Sequence, residues 1–473
     1  MKIFSSSPSI VFIDELEQND KISAQYYSVD FINFEKELLQ NSIIQFKDII
    51  KEYNGGPMGF QLHTYDYKEF GVPLLRTKDM KEMSIQLEDP IFISEEKNDE
   101  LKNSKTYPGD LIISKTGQIG VCSLVPDTIK KANLNQALCN IRVDESEIDK
   151  YFLVVFLNTK YGQYQLLREG TGKAVQPGLT RDEINSLKIF IPSSKIQKYI
   201  GDKVRRAEEL REEAKQLRKE MIVTLYSTIE LPNNFEGENE KFNIVYNENL
   251  DDIRIDAIYY MKKYVEYEEK LREKQLVSLG NIIIDSNYGA SISADYRETG
   301  IPFLRGLNLN ENEIDDNVVY LNESVKSEIG NAIVNEGDIL ITRSGSVGIT
   351  AVVDKRQEGY AFGSFMIKLV VDKEMWNPYY ISAFLNSFWG KWQVERQKNG
   401  AVQQNINLQE IGRIMIPKLD LDKQNIFEML IKQYIEKDIQ SKQLIQQAKQ
   451  DVEDLIESNF NMSKLDDTTT ESR

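Results

Sequence analysis

Residues 109–120 read Gly-Asp-Leu-Ile-Ile-Ser-Lys-Thr-Gly-Gln-Ile-Gly, and residues 337–348 read Gly-Asp-Ile-Leu-Ile-Thr-Arg-Ser-Gly-Ser-Val-Gly, an offset of 228 from Gly109 to Gly337. A β-branched run closed by glycine is ordinary strand grammar, and one such match would carry little. This match has company. The segment 20–27, Asp-Lys-Ile-Ser-Ala-Gln-Tyr-Tyr, faces 253–260, Ile-Arg-Ile-Asp-Ala-Ile-Tyr-Tyr; 72–76, Val-Pro-Leu-Leu-Arg, faces 301–305, Ile-Pro-Phe-Leu-Arg. Further on, Phe-Leu-Asn at 156–158 faces 384–386, Ala-Val-Gln at 174–176 faces 401–403, and Ile-Pro at 191–192 faces 416–417, so the offset drifts from 233 to 225 with the order kept. The chain is therefore one unit written twice. A repeat of this length is a domain, since solenoid repeats run roughly 20 to 50 residues, and each copy has to bury its own core.

Within each copy the pattern changes along the chain. Residues 70–145 and 299–372 carry short β-rich runs bounded by Gly, Pro and Asp, which predicts a small α+β domain. From Ser194 to about Thr228, the residues Ile196, Ile200, Val204, Ala207, Leu210, Ala214, Leu217 and Met221 recur at three- and four-residue spacing, the stripe of a long amphipathic helix. A looser stripe, Ile431, Ile435, Ile439, Leu444, Ala448, Val452 and Leu455, predicts a second helix from about Asp422 to Ser458. At about 1.5 Å per residue such helices reach on the order of 50 Å, too long for one small domain to cover, so the expectation is that they pair as an antiparallel coiled coil. The expected organisation is a first domain over 1–193, its helix over 194–229, a polar linker over 230–250, a second domain over 251–420, its helix over 421–460 and a disordered tail over 461–473.

Composition narrows the chemistry. Two cysteines and one histidine, His63, in 473 residues make a disulfide framework or a His/Cys metal site improbable. No apolar run approaches the roughly 18 residues of a membrane span, and the start lacks the apolar stretch of a secretory signal, so a cytoplasmic protein is expected. A net charge of −17 argues against a uniformly cationic surface while leaving room for a local basic cleft.

Two diverged α+β domains, each followed by a long helix, resemble the DNA-specificity (S) subunit of type I restriction-modification systems. The resemblance rests on the paired-tyrosine segments at 20–27 and 253–260, the two Gly-Asp loops, the Phe-Leu-Asn segments and the glutamine-containing loops before Ile-Pro, in order and twice. It implies two target recognition domains, one per half of a split DNA site, with the helix pair fixing the gap. It also implies methyltransferase subunits as partners, two of them, and a restriction or translocase subunit; S-adenosylmethionine and ATP would be bound by those partners, with no cofactor or metal in this chain. The related specificity subunit of a type IIB-like system differs mainly in its partner.

The residues themselves suggest where DNA would be met. In the first loop these are Lys115, Thr116, Gly117 and Gln118; in the second, Arg343, Ser344, Gly345 and Ser346. A glycine lets backbone approach a phosphate and the neighbouring cation supplies charge. The alternative is a tight turn with a solvated basic residue. Arg76 and Arg305 end apolar runs, which suits a side chain projecting into a groove, where arginine reads guanine, or one held in a salt bridge. Lys173 and Gln176, and Gln403, Gln404 and Asn405, lie in glycine-containing loops fit for bases or phosphates, or for capping a helix. The tyrosines at 26, 27, 259 and 260 are assigned to packing.

Catalytic motifs fail on inspection. Asn377-Pro-Tyr-Tyr380 lacks the second proline of a methyltransferase loop and reads as a helix start, Pro126-Asp127 finds no Asp/Glu-x-Lys partner through residue 157, and Gly172-Lys173 has Leu167 where a phosphate-binding loop needs glycine. The expectation is a non-catalytic recognition subunit. The competing class is an acidic scaffold or DNA mimic, against which the two basic glycine loops speak.

Overall fold

The computed structural model describes residues 26–171, 177–237, 244, 254, 256–293, 295–399 and 404–467. It divides into two compact units, 1–211 with 439–473, and 212–438. In the first, a six-stranded sheet runs in the order Ile50–Gly55, Leu138–Val143, Leu111–Ser114, Cys122–Leu124, Met83–Ile85, Met80–Lys81. A five-stranded sheet runs Tyr67–Lys68, Ile91–Ile93, Val72–Leu75, Ala132–Leu134, Lys105–Thr106. The second unit repeats the plan with four strands in each sheet: Ile283–Tyr288, Met366–Val371, Ile339–Thr342, Thr350–Val352, and Tyr296–Arg297, Val319–Leu321, Ile301–Leu304, Ala361–Phe362.

The strand Leu111–Ser114 explains why its sequence lacks the apolar-polar alternation of a half-exposed strand. All four residues are buried. Leu111 and Ile113 join a core built with the helix Lys150–Asn158, and Ile112 points the other way into a second core with Leu75, Leu134 and Leu138. A strand covered on both faces reads as a continuous apolar run. Its counterpart Ile339–Thr342 is buried throughout as well. Cys122 and Cys139 are free thiols buried beside this strand.

Both units open their core helices with the same device. The Asp149 carboxylate accepts from the Tyr151 and Phe152 amides, and the Asn377 side chain accepts from the Tyr379 amide with Pro378 in the first turn, so Asn-Pro-Tyr-Tyr is a helix start. The long helices span Ser194–Ile229 and Leu421–Ile456. In the first unit Ile196, Ile200, Val204 and Ala207 share one core with Ile445, Ala448, Val452 and Ile456.

Three expectations change. The buried stripe of the second helix runs through Ile431, Tyr434, Ile435, Ser441, Ile445, Ala448, Val452 and Ile456, while Ile439, Leu444 and Leu455 are half-buried. Ser441 was invisible to a search for apolar residues, yet it is fully buried and its hydroxyl donates to the Ala207 carbonyl at 2.9 Å. The segment 231–237 is packed: Leu231 is buried, the Pro232 carbonyl accepts from Trp389 Nε1 at 2.8 Å, and Phe235 lies against Trp389 and Tyr267. Residues 461–467 are ordered in part, with a short helix Lys464–Asp467, a buried Leu465, and Lys464 paired to Asp451. Apolar and paired side chains hold what a polar composition suggested was loose. No helix among the described residues is long and apolar enough to cross a membrane.

Candidate nucleic-acid interface

The two Gly-Asp loops have one shape. Gly109, Gly117 and Gly120 adopt φ of 82°, 78° and 83°; Gly337, Gly345 and Gly348 adopt 86°, 80° and 95°. Only glycine takes that conformation cheaply. At Gly117 and Gly345 a Cβ would meet nothing within 4 Å among the described residues, so these glycines are required by backbone conformation rather than by crowding. The third residue before each mid-loop glycine stitches the turn. The Ser114 hydroxyl donates to the Gln118 carbonyl and accepts from the Val121 amide at 2.9 Å, and the Thr342 hydroxyl does the same with Ser346 and Ile349, the latter also at 2.9 Å. Sequence reasoning passed over this hydroxyl. Its signal was a β-branched or small hydroxyl residue at the end of an otherwise apolar strand.

The cations sit at the strand ends, half-buried, while Gly117, Gln118, Gly345 and Ser346 are exposed. Thr116 and Ser344 are half-buried. Among the described residues neither Lys115 nor Arg343 forms an ion pair. Arg343 lies over the Tyr288 ring, 4.7 Å from its centre. The other candidate loops come to the same places. The Leu179 amide donates to the Lys115 carbonyl at 2.9 Å, and the Ile406 amide to the Arg343 carbonyl at 3.0 Å. Asn405 is held by reciprocal backbone bonds with Asn399, both 2.8 Å, and Gln404 is exposed. Lys173, Gln176 and Gln403 lie outside the described residues.

Arg76 and Arg305 part company. Arg76 Nε and Nη2 donate to the two oxygens of the buried Asp79 at 2.9 and 3.1 Å, and Nη2 also reaches the Asp89 carbonyl. In the structure Arg76 is thus salt-bridged. Asn308 replaces Asp79 in the second copy. It keeps the backbone role, its Oδ1 accepting from the Arg305 amide at 2.9 Å as Asp79 does from the Arg76 amide at 2.9 Å, and it offers no charge to the guanidinium. Arg305 forms no ion pair among the described residues and lies over the Tyr296 ring at 5.5 Å. Among the described residues the Nε atoms of Arg305 and Arg343 are both buried without a hydrogen-bond partner.

The paired tyrosines are structural, as expected. Tyr26 and Tyr27 meet edge to face at 5.0 Å, as do Tyr259 and Tyr260. Arg168 Nε donates to the Tyr26 carbonyl at 2.9 Å and Arg396 Nε to the Tyr259 carbonyl at 2.8 Å. The described residues hold no cluster of three or more metal-ligating side chains.

The sequence matches the family described as type I restriction modification DNA specificity domain over residues 19–220 and again over 269–450, well over half of the chain. Among curated proteins it is 22% identical to the one named as the MjaX type I restriction enzyme specificity subunit of Methanocaldococcus jannaschii, over 87% of this chain and 91% of that one. It is 20% identical to the type I restriction enzyme EcoBI specificity subunit of Escherichia coli, over 84% and 82% of the two chains. Among solved structures it aligns with the type I restriction-modification S subunit of M. genitalium at 15% identity and a TM-score of 0.45, covering 89% of this chain and 96% of that one.

Proposed function

The chain belongs to the type I restriction-modification DNA specificity family, whose specificity subunits recognise DNA sequences, and we propose that each of its units reads one half of a split site while catalysis resides in partner chains. The partners are double-stranded DNA, two adenine-methyltransferase subunits and a restriction subunit, with S-adenosylmethionine and ATP bound by those subunits. One observation carries the placement of the DNA. In a chain with 75 acidic and 58 basic residues, the same loop occurs twice with an open glycine beside a cation that forms no ion pair among the described residues. An acidic scaffold or DNA mimic has no use for such a pair of sites and is not favoured.

The long helices act as an antiparallel coiled-coil spacer. Within the first unit Lys203 pairs with Asp451 and Ala207 with Ser441; within the second, Glu213 pairs with Lys437 and Arg218 with Asp438. Earlier residues of one helix thus meet later residues of the other. The helix stretches of the second unit also expose Ile222, Val223, Ile426 and Met429, apolar side chains that suit a protein partner. The test is selection from duplexes carrying two randomised segments at varied spacing, using the chain assembled with its modification partner. Enrichment of two short sequences at one fixed spacing is expected. Enrichment of a single continuous sequence, or of none, overturns the reading.

A further inference from the structure

In the second unit four segments end at one rim. Tyr288 closes the strand Ile283–Tyr288, Arg305 follows the strand Ile301–Leu304, Arg343 follows the strand Ile339–Thr342, and the stretch 363–365 leads into the strand Met366–Val371. That stretch is anchored on three sides. The Gly363 amide donates to the Leu304 carbonyl at 3.0 Å, the Ser364 amide to the Ala290 carbonyl at 2.9 Å, and the Phe365 carbonyl accepts from the Arg343 amide at 2.8 Å. On this fixed backbone the Phe365 side chain is 52% exposed. Beside it, a Cβ on Gly306 would stand 3.8 Å from Phe365 Cβ, and the next residue, Leu307, is 67% exposed.

We propose that Phe365 is a wedge that enters the DNA duplex at one base step of the second half-site, with Arg305 and Arg343 straddling the same step. The inference rests on the DNA-reading function of the preceding subsection and adds to it a residue and a mode of recognition. The anchored backbone holds a large apolar ring where a partner can cover it. Its neighbours say which partner. Among the described residues both guanidiniums lack ion pairs and have a buried Nε without a hydrogen-bond partner, each lies over a tyrosine ring, and their backbones flank Phe365: the Arg343 amide donates to its carbonyl, and Gly306, next to Arg305, lies against its Cβ. Cations around a flat apolar group complement phosphates around stacked bases. Phenylalanine and leucine wedges unstack base steps and kink the duplex, and pyrimidine–purine steps yield most easily, so the wedge reads deformability where it makes no hydrogen bond.

Among the described residues the first unit places no aromatic ring at the position of Phe365. The Lys115 amide donates at 2.7 Å to the carbonyl of Ala137, which stands where Phe365 does, and Arg76 is committed to Asp79. The exposed rings of that unit, Phe60, Tyr65 and Phe70, lie on the loop before the strand Val72–Leu75. A wedge at this position is therefore assigned to the second half-site.

The experiment uses the chain assembled with its modification partner and duplexes in which 2-aminopurine replaces adenine at successive positions of each half-site. The parent should give a fluorescence increase at one step of the second half-site, and Phe365→Ala should abolish it, weaken binding by at least about tenfold and erase the preference for a flexible step there. Phe365→Leu should restore part of all three, and preferences in the first half-site should not change. Three outcomes overturn the wedge: no unstacking signal in the second half-site with the parent, an unchanged step preference in Phe365→Ala, or loss of the protein partner as the sole effect. A parent complex that selects no bipartite sequence would instead sink the underlying function, so the two failures are distinguishable.

Discussion

Arg76 and Arg305 close the same proline-containing strand in two copies of one domain, and a single exchange three residues later gives them different fates. Asp79 clamps the first guanidinium with both carboxylate oxygens; Asn308 keeps the cap on the backbone amide and offers the second guanidinium no charge, and among the described residues that guanidinium forms no ion pair. The backbone role needs only an oxygen acceptor, which either residue supplies. The charge is the part free to diverge. A duplicated reader can thus keep its scaffold while changing what its rim offers to DNA, and the glycines and hydroxyls of the two loops, which hold shape, are the residues that stay alike.

The largest effect that would test this contrast is on stability. Asp79→Ala leaves a mostly buried guanidinium without its partner and orphans the Arg76 amide, so it should cost about 3 kcal/mol. Asn308→Ala loses only neutral hydrogen bonds, to the Arg305 amide and the Asn317 carbonyl, and should cost about 1–2 kcal/mol. Urea unfolding of the two variants is the measurement, and equal costs would erase the distinction between the copies.

A smaller effect separates the long helices. Gln197 and Gln424 accept from the equivalent amides of Asp149 and Asn377, which aligns Glu208 with Ile435. Glu208 has one oxygen buried without a partner, and burial pushes its carboxyl up to about 7 against an ordinary value of 4.5, with Asp127 adding to the rise and Arg211, Arg205 and Lys150 opposing it. Between those pH values the folded state holds a proton that the unfolded chain has released. Stability therefore falls as pH rises through that window and levels off above about 7. Glu208→Gln stays neutral and should be about 1–3 kcal/mol more stable than the parent at pH 8, with no difference near pH 4.5. An identical pH profile for parent and variant would show the site to be solvated.

The smallest effect concerns what the copies share. If both Gly-Asp loops hold phosphate, Lys115→Ala and Arg343→Ala should each lower the salt dependence of DNA binding by about one unit without altering base preference. Titration of the assembled complex at several salt concentrations measures this. A change of preference in one half-site alone would make that cation a base reader and sharpen the asymmetry.

The duplication, the extents of the two long helices to within four residues, the helix start at Asn377 and the position of both loops were legible in the sequence. Each depends on local patterns: helical periodicity, capping side chains, and glycines where φ turns positive. On the buried face of the second helix Ile431, Ile435, Ala448 and Val452 were legible, but Ser441 was not, because it is recruited by a carbonyl far away in sequence and no local period marks it. The packing of Leu231 and Phe235 escaped for the same reason.

Arg76 and Arg305 looked alike for the same reason: an acidic residue three positions on is common in a chain this acidic, and only the turn that buries Asp79 makes it a clamp. Phe365 drew no attention because nothing local distinguishes it from a core phenylalanine. Its exposure follows from the convergence of four strand ends, and convergence is a property of long-range pairing. Local rules thus wrote the elements and their shapes, and a local exchange of Asp for Asn decided whether the rim arginine is paired, while the pairing of distant strands brought those cations and the exposed Phe365 ring to one rim.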